Sequence, residues 1–243
     1  MHAAAPWFEI NCLLKDIKNM RTYGNVNANQ ALLWAPGGEF CYGGERRDRR
    51  LLQLLAGSDL FVLCAQYDQG LQHPWPKGLY DLERLYHSLS YRYKHVYVGG
   101  AGTGGFFALA LARRVQAERC VLLCPVLDPD VRNEYMVPET LNLHKQRLYF
   151  KTRENCRRIT KQYLTEEMSP PPSVLIVHGG RDIDVPDYVA TPSWLVAKEL
   201  IAITLHNATR DLSRIVPDDV IAAFRKYLSH AANPPVSSSI GSI

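Results

Sequence analysis

The chain has 243 residues, 47% of them hydrophobic, and a formal net charge of +4. That length and apolar share suit a single core of ordinary size. No stretch carries a nucleic-acid motif, and no run approaches the roughly 18 apolar residues that a membrane span needs.

The amino terminus, "MHAAAPWFEINCLLKDIKNM", has no basic segment followed by an apolar one. No secretory signal is therefore expected. "ALLWAP" (Ala31–Pro36) reads as a buried strand and precedes a helical pattern near Glu45–Ala56. That helix opens on the densest basic run, "ERRDRR" (Glu45–Arg50). The run reads first as a solvated face, and more sharply as a site for an anionic partner. "LFVLCAQY" (Leu60–Tyr67) is the next strand, with a helix near Gly78–Tyr91. "HVYVGG" (His95–Gly100) follows, with a helix near Gly104–Gln116. "RCVLLCP" (Arg119–Pro125) is a fourth strand, "SVLIVHGG" (Ser173–Gly180) a fifth and "IAITLH" (Ile201–His206) a sixth. Helices are expected near Pro192–Lys198 and Asp218–Leu228. Apolar strands without alternation, each followed by a helix, predict an α/β fold: a mostly parallel central sheet with helices on both faces.

Val126–Pro172 breaks this rhythm with two helical stretches, near Glu139–Phe150 and Arg153–Glu166, and then "SPPPS". An insertion after a strand's carboxyl end lies where α/β sheets bind ligands. It reads either as a small helical cap or as peripheral packing. Residues 1–230 are expected to form a single domain, and the tail from 231 to 243 to be poorly ordered.

Six cysteines stand at 12, 41, 64, 120, 124 and 156. They are too few for a disulfide scaffold. Cys120 and Cys124 have a metal-like spacing but lack a second pair. A reducing, cytoplasmic setting is expected, with no metal and no cofactor.

Three stretches resemble one family, the α/β-hydrolase fold, and within it the hormone-sensitive-lipase type of esterase. Pro36-Gly37-Gly38-Glu39-Phe40-Cys41-Tyr42-Gly43 is similar to that family's H-G-G-G-F-x-x-G loop. Tyr67–Asp81, with "HPWP" at its centre, is similar to the segment that follows the next strand. Gly100-Ala101-Gly102-Thr103-Gly104-Gly105 is similar to the G-D-S-A-G-G elbow. The resemblance implies a serine on a strained turn, a histidine base, an acid to orient it, and backbone donors for the oxyanion.

This chain departs from that pattern at four places. The nucleophile position falls on Gly102, with Thr103 a poor substitute one residue along. The acid alone is retained, at Asp182 in "VHGGRDIDVP", with Asp184 as second choice. The histidine position falls on Arg210, which stays protonated and cannot act as a base. His206 is the nearby fallback. In the loop meant to hold the oxyanion (Gly37, Gly38, Glu39), the family's first histidine is Pro36 and its third glycine is Glu39. A carboxylate there has the wrong sign for a developing anion.

The resemblance therefore implies a degenerate triad, Gly102, Asp182 and Arg210. It points to a catalytically silent homologue that binds a small-molecule ligand or a protein partner. The alternative is a working hydrolase of esters or amides using Asp182 with His206 or His178. An open cavity beside Gly102 would favour a receptor, and a filled one a scaffold. Arg210 is expected to pair with Asp182.

Overall fold

The structure, a computed structural model, describes residues 20–40, 45–69, 75–135, 149–166, 169–171, 173–209, 212 and 217–229. Among these, seven strands form one sheet in the order β1-β3-β2-β4-β5-β6-β7. They are β1 (Arg21–Tyr23), β2 (Gln30–Ala35), β3 (Leu60–Cys64), β4 (His95–Ala101), β5 (Cys120–Leu123), β6 (Ser173–Gly179) and β7 (Glu199–Leu205). All pairings are parallel except that of β1 with β3. β3, β5 and β6 are buried throughout, as unbroken apolar runs in a two-sided sheet must be.

The helices divide between the two faces. Leu79, Leu82, Leu85 and Leu89 of α2 (Lys77–Ser90) share a core with α3 (Thr103–Val115) and with Cys156 and Ile159 of α5 (Arg153–Thr160). On the other face, Leu51, Leu52 and Leu55 of α1 (Glu45–Leu55) meet Val220, Phe224 and Leu228 of α7 (Asp218–Ser229). Every apolar run expected as a strand forms one. β1 joins them unannounced, because three residues on an antiparallel edge leave no apolar periodicity.

Two further expectations change. No helix forms near Pro192–Lys198. The chain instead makes α6 (Asp187–Ala190), starting after Pro186 and ending at Thr191, which the ring of Pro192 bars from helical geometry. Trp194 then donates from Nε1 to Asp128 Oδ2 at 3.0 Å, holding the following segment as an irregular connection. Between β5 and β6 stand α4 (Pro129–Tyr135) and α5, and α5 runs on as a π-helical turn, Lys161–Glu166. Of the helix expected near Glu139–Phe150, only Tyr149 and Phe150 are described, and both are helical. The tail from 231 lies outside the described residues.

The chain goes from β2 outward to β3, then back across β2 to β4. The sheet order thus reverses between β2 and β4, and the carboxyl ends at such a reversal are where α/β sheets place their ligand crevice. The loop after β2 and the turn after β4 stand at those ends.

Candidate functional site

Gly102 is the turn between β4 and α3, at φ 53° and ψ −126°. A side chain there would be strained, and glycine is not. An added Cβ would meet no described heavy atom within 4 Å, so the space that a side chain would occupy is open. Two residues on, Gly104 is required for another reason. Its Cβ would lie 2.1 Å from the Ala35 carbonyl oxygen, so only glycine lets the turn press against the end of β2.

Thr103 begins α3 and is buried. Its Oγ1 accepts the backbone N–H of Gly38 at 3.0 Å. That N–H belongs to the loop expected to receive an oxyanion, and a side chain of the same protein already occupies it. The Pro36 carbonyl of this loop accepts Tyr67 Oη at 2.8 Å and Gln69 Nε2 at 3.2 Å. Burial pushes the Tyr67 phenol well above its ordinary range, so it remains a donor.

Glu39 and Phe40 both have positive φ, 55° and 60°. Each costs a non-glycine residue on the order of 1–2 kcal/mol. Two buried anchors hold them. Glu39 Oε2 lies 3.1 Å from Arg132 Nη1, with both side chains almost wholly enclosed. The Phe40 ring stacks on Tyr149 at 5.4 Å between centroids and meets Phe150 edge-on at 4.9 Å and Phe106 edge-on at 5.9 Å. The Glu39 carboxylate is therefore turned inward and compensated, rather than an isolated negative charge.

Arg132, on α4, is the residue that sequence reasoning missed. Its Nε also donates to the Asp184 carbonyl at 3.2 Å. One guanidinium thus joins the loop after β2 to the loop after β6. The signal was available in part: an acid buried in a glycine loop needs a cation. Nothing local says which of the chain's arginines supplies it.

Asp182 stands in the loop after β6, buried, with Oδ1 accepting the N–H groups of Asp184 at 3.0 Å and Val185 at 2.9 Å. These bonds brace the loop. His178, on β6, is enclosed, with Nε2 2.9 Å from Thr204 Oγ1 and Nδ1 3.5 Å from an Asp187 carboxylate oxygen. His206 is exposed in the turn after β7, and its ring forms no hydrogen bond among the described residues. Neither histidine is hydrogen-bonded to Asp182. Arg210, and with it the expected pair with Asp182, lies outside the described residues.

The segment between β5 and β6 begins against the turn, since Val126 N–H donates to the Gly102 carbonyl at 2.9 Å. Tyr149 and Phe150 carry the packing onward and belong to the same apolar core as Phe106 and Phe107 of α3. A cavity of about 320 Å³ lies between α4 and α5, lined by Asn133, Glu134, Phe150, Thr152, Arg153 and Cys156. It does not reach Gly102. Burial pushes the Cys156 thiol up, which makes it a poor nucleophile. Among the described residues no cluster of His, Cys, Asp and Glu could hold a metal ion, and no helix is long and apolar enough to cross a membrane.

A family profile described as alpha/beta hydrolase fold matches residues 32–200. Among solved structures, an esterase from the bacterial hormone-sensitive lipase family superposes with a TM-score of 0.66 at 17% identity, covering 93% of this chain and 98% of that one. The Francisella virulence factor BioJ gives 0.66 at 15%, covering 91% and 89%. Esterase B from Lactobacillus rhamnosis, in an inhibited form, gives 0.67 at 14%, covering 85% and 77%. At such identities the likeness is one of fold. No curated protein matches the sequence.

Proposed function

Because the chain belongs to the α/β-hydrolase-fold family, we propose that it is a catalytically silent, esterase/lipase-like member that serves as a scaffold or binding protein. The observation that carries this reading is the turn after β4. Gly102 keeps the backbone geometry that suits a nucleophile and supplies no nucleophilic atom. The neighbouring donor at Gly38 supports it, being committed to Thr103. Chemistry in this crevice would need both an attacking group and a free donor for the oxyanion.

A scaffold is supported by the interlock of Phe40, Phe106, Tyr149 and Phe150, which ties the loop after β2 to α3. A receptor is supported by the space at Gly102, where no described atom lies within 4 Å of an added Cβ. The alternative, water activated by Asp182 with His178 or His206, gains no support from the described contacts. His178 is engaged with Thr204, and His206 faces outward.

The test is direct. The purified full chain should not hydrolyse p-nitrophenyl acetate or butyrate above background, and a fluorophosphonate should not label the turn at Gly102. Enzymes without a nucleophile or a base typically lose several orders of magnitude in rate. Robust turnover that disappears in Asp182→Asn or His206→Gln would overturn the reading.

A further inference from the structure

Helix α1 carries a charge pattern that the crevice does not use. Asp48, Leu51, Leu52 and Leu55 are buried beneath it and fix its orientation. Arg46, Arg47, Arg49 and Arg50 are all exposed on the other side. Of the two acids in the run, Glu45 opens the helix and Asp48 is spent internally: it is 2% exposed and accepts Trp34 Nε1 at 2.8 Å. Among the described residues none of the four arginines has an ion-pair partner.

This arrangement does not help the helix. Arginines in the first two turns oppose the helix dipole, which favours acids there. Arg46 and Arg49, Arg46 and Arg50, and Arg47 and Arg50 stand three or four residues apart, where like charges repel. Glu45, at the helix start and four residues before Arg49, offsets part of this, and the remaining positive charge faces solvent.

The surroundings indicate the kind of partner. Arg225 of α7 is exposed and donates from Nη2 to the Leu54 carbonyl at 2.5 Å, adding a cation at the other end of α1. Leu54 itself is 38% exposed, one turn beyond Arg50 on the outward side. The outward side of a single helix is convex, and a peptide has no groove there to seat in. Cations clustered beside an exposed leucine suit a surface of closely spaced phosphates bordering an apolar phase. Arginine's planar fork binds phosphate oxygens two at a time.

We propose that the α1 face formed by Arg46, Arg49, Arg50 and Leu54 docks on an anionic lipid surface, with the helix lying in the plane of the headgroups. The experiment is co-sedimentation of the full chain with phosphatidylcholine vesicles, with and without phosphatidylserine, at low and high salt. The protein pellets with phosphatidylserine vesicles at low salt, is released by high salt, and stays in solution with phosphatidylcholine alone. Each neutralised arginine lowers the partition coefficient about five-fold, so Arg46→Gln/Arg49→Gln/Arg50→Gln lowers it about a hundred-fold. These side chains are exposed and repel one another, so the triple variant keeps its melting temperature or raises it slightly. The proposal is overturned if the protein never pellets, if it pellets equally with both vesicle types, or if the triple variant binds like the parent. It is also overturned if a polyglutamate peptide or an oligonucleotide binds through these arginines while vesicles do not.

Discussion

Arg132 and Glu39 meet at 3.1 Å, two opposite charges almost entirely removed from water, 93 positions apart in the chain. The pair joins a helix after β5 to a loop after β2, and the same guanidinium reaches the loop after β6. Breaking a buried pair leaves one charge uncompensated and typically costs about 3–5 kcal/mol. Arg132→Met and Glu39→Gln should each lower stability by about that amount in urea titrations. Replacing both together, Glu39→Leu with Arg132→Met, should cost clearly less than the sum, because no lone charge remains.

Thr103 offers a smaller, local test. Thr103→Val removes the acceptor for Gly38 N–H and keeps the side chain's shape. A donor left without its partner costs about 1–3 kcal/mol. The expected result is a lower denaturation midpoint with an unchanged slope against denaturant.

Gly102→Ser asks whether the turn can take back a side chain. The space is open, so no clash is expected, while the φ of 53° adds strain of about 1–3 kcal/mol. The melting temperature should fall and ester hydrolysis should stay at background, since neither His178 nor His206 is hydrogen-bonded to Asp182. Gly102→Ser with Thr103→Ala and, at the position proposed for the base, Arg210→His is the sharper trial, because it adds a nucleophile and frees the Gly38 donor. Turnover by Gly102→Ser alone would mean that a base is already in place.

Alkaline pH should weaken the fold. Burial raises the phenols of Tyr67, Tyr97 and Tyr227 and the thiols of Cys120 and Cys156. The unfolded chain releases these protons from about pH 8.5 for cysteine and about pH 10 for tyrosine, while the folded chain still holds them. Their contribution is complete below those values and is lost as pH rises beyond them. Each differential proton lowers stability by about 1.4 kcal/mol per pH unit. Thermal melts from pH 7 to pH 11 should show a flat region and then a steepening fall from about pH 8.5 upward. Stability that is constant across that range would contradict the burial of these groups.

The sheet was largely legible because its signal is local. "SVLIVHGG" can hardly be anything but a strand buried on both faces, and "GGAGTGGFFALALARR" is a turn followed by a helix. The crevice was legible in position for the same reason, since two glycine loops follow two strands. The glycine at the turn shows in one residue, but the engagement of Gly38 with Thr103 and of Glu39 with Arg132 depends on pairings 65 and 93 residues apart. No periodicity encodes those. The same holds for Tyr149 and Phe150, whose rings find Phe40 only after the sheet has brought both segments to one edge. The irregular stretch after Thr191 escaped for a different reason: its apolar residues are spaced like a helix, and Pro192 with the Trp194–Asp128 bond overrides that spacing.

The aromatic interlock of Phe40, Tyr149 and Phe150 has a consequence for motion. A lid that swings must have a seam along which it parts from the body at little cost. Here the described rings of the segment between β5 and β6 belong to the same continuous core as α3, so among the described residues no seam exists there. Parting that segment from α3 would expose several large rings at once, an event close in scale to unfolding that face of the protein. Backbone amides of α5 should therefore exchange with solvent about as slowly as those of α3, and hydrogen exchange would see the two as one cooperative unit.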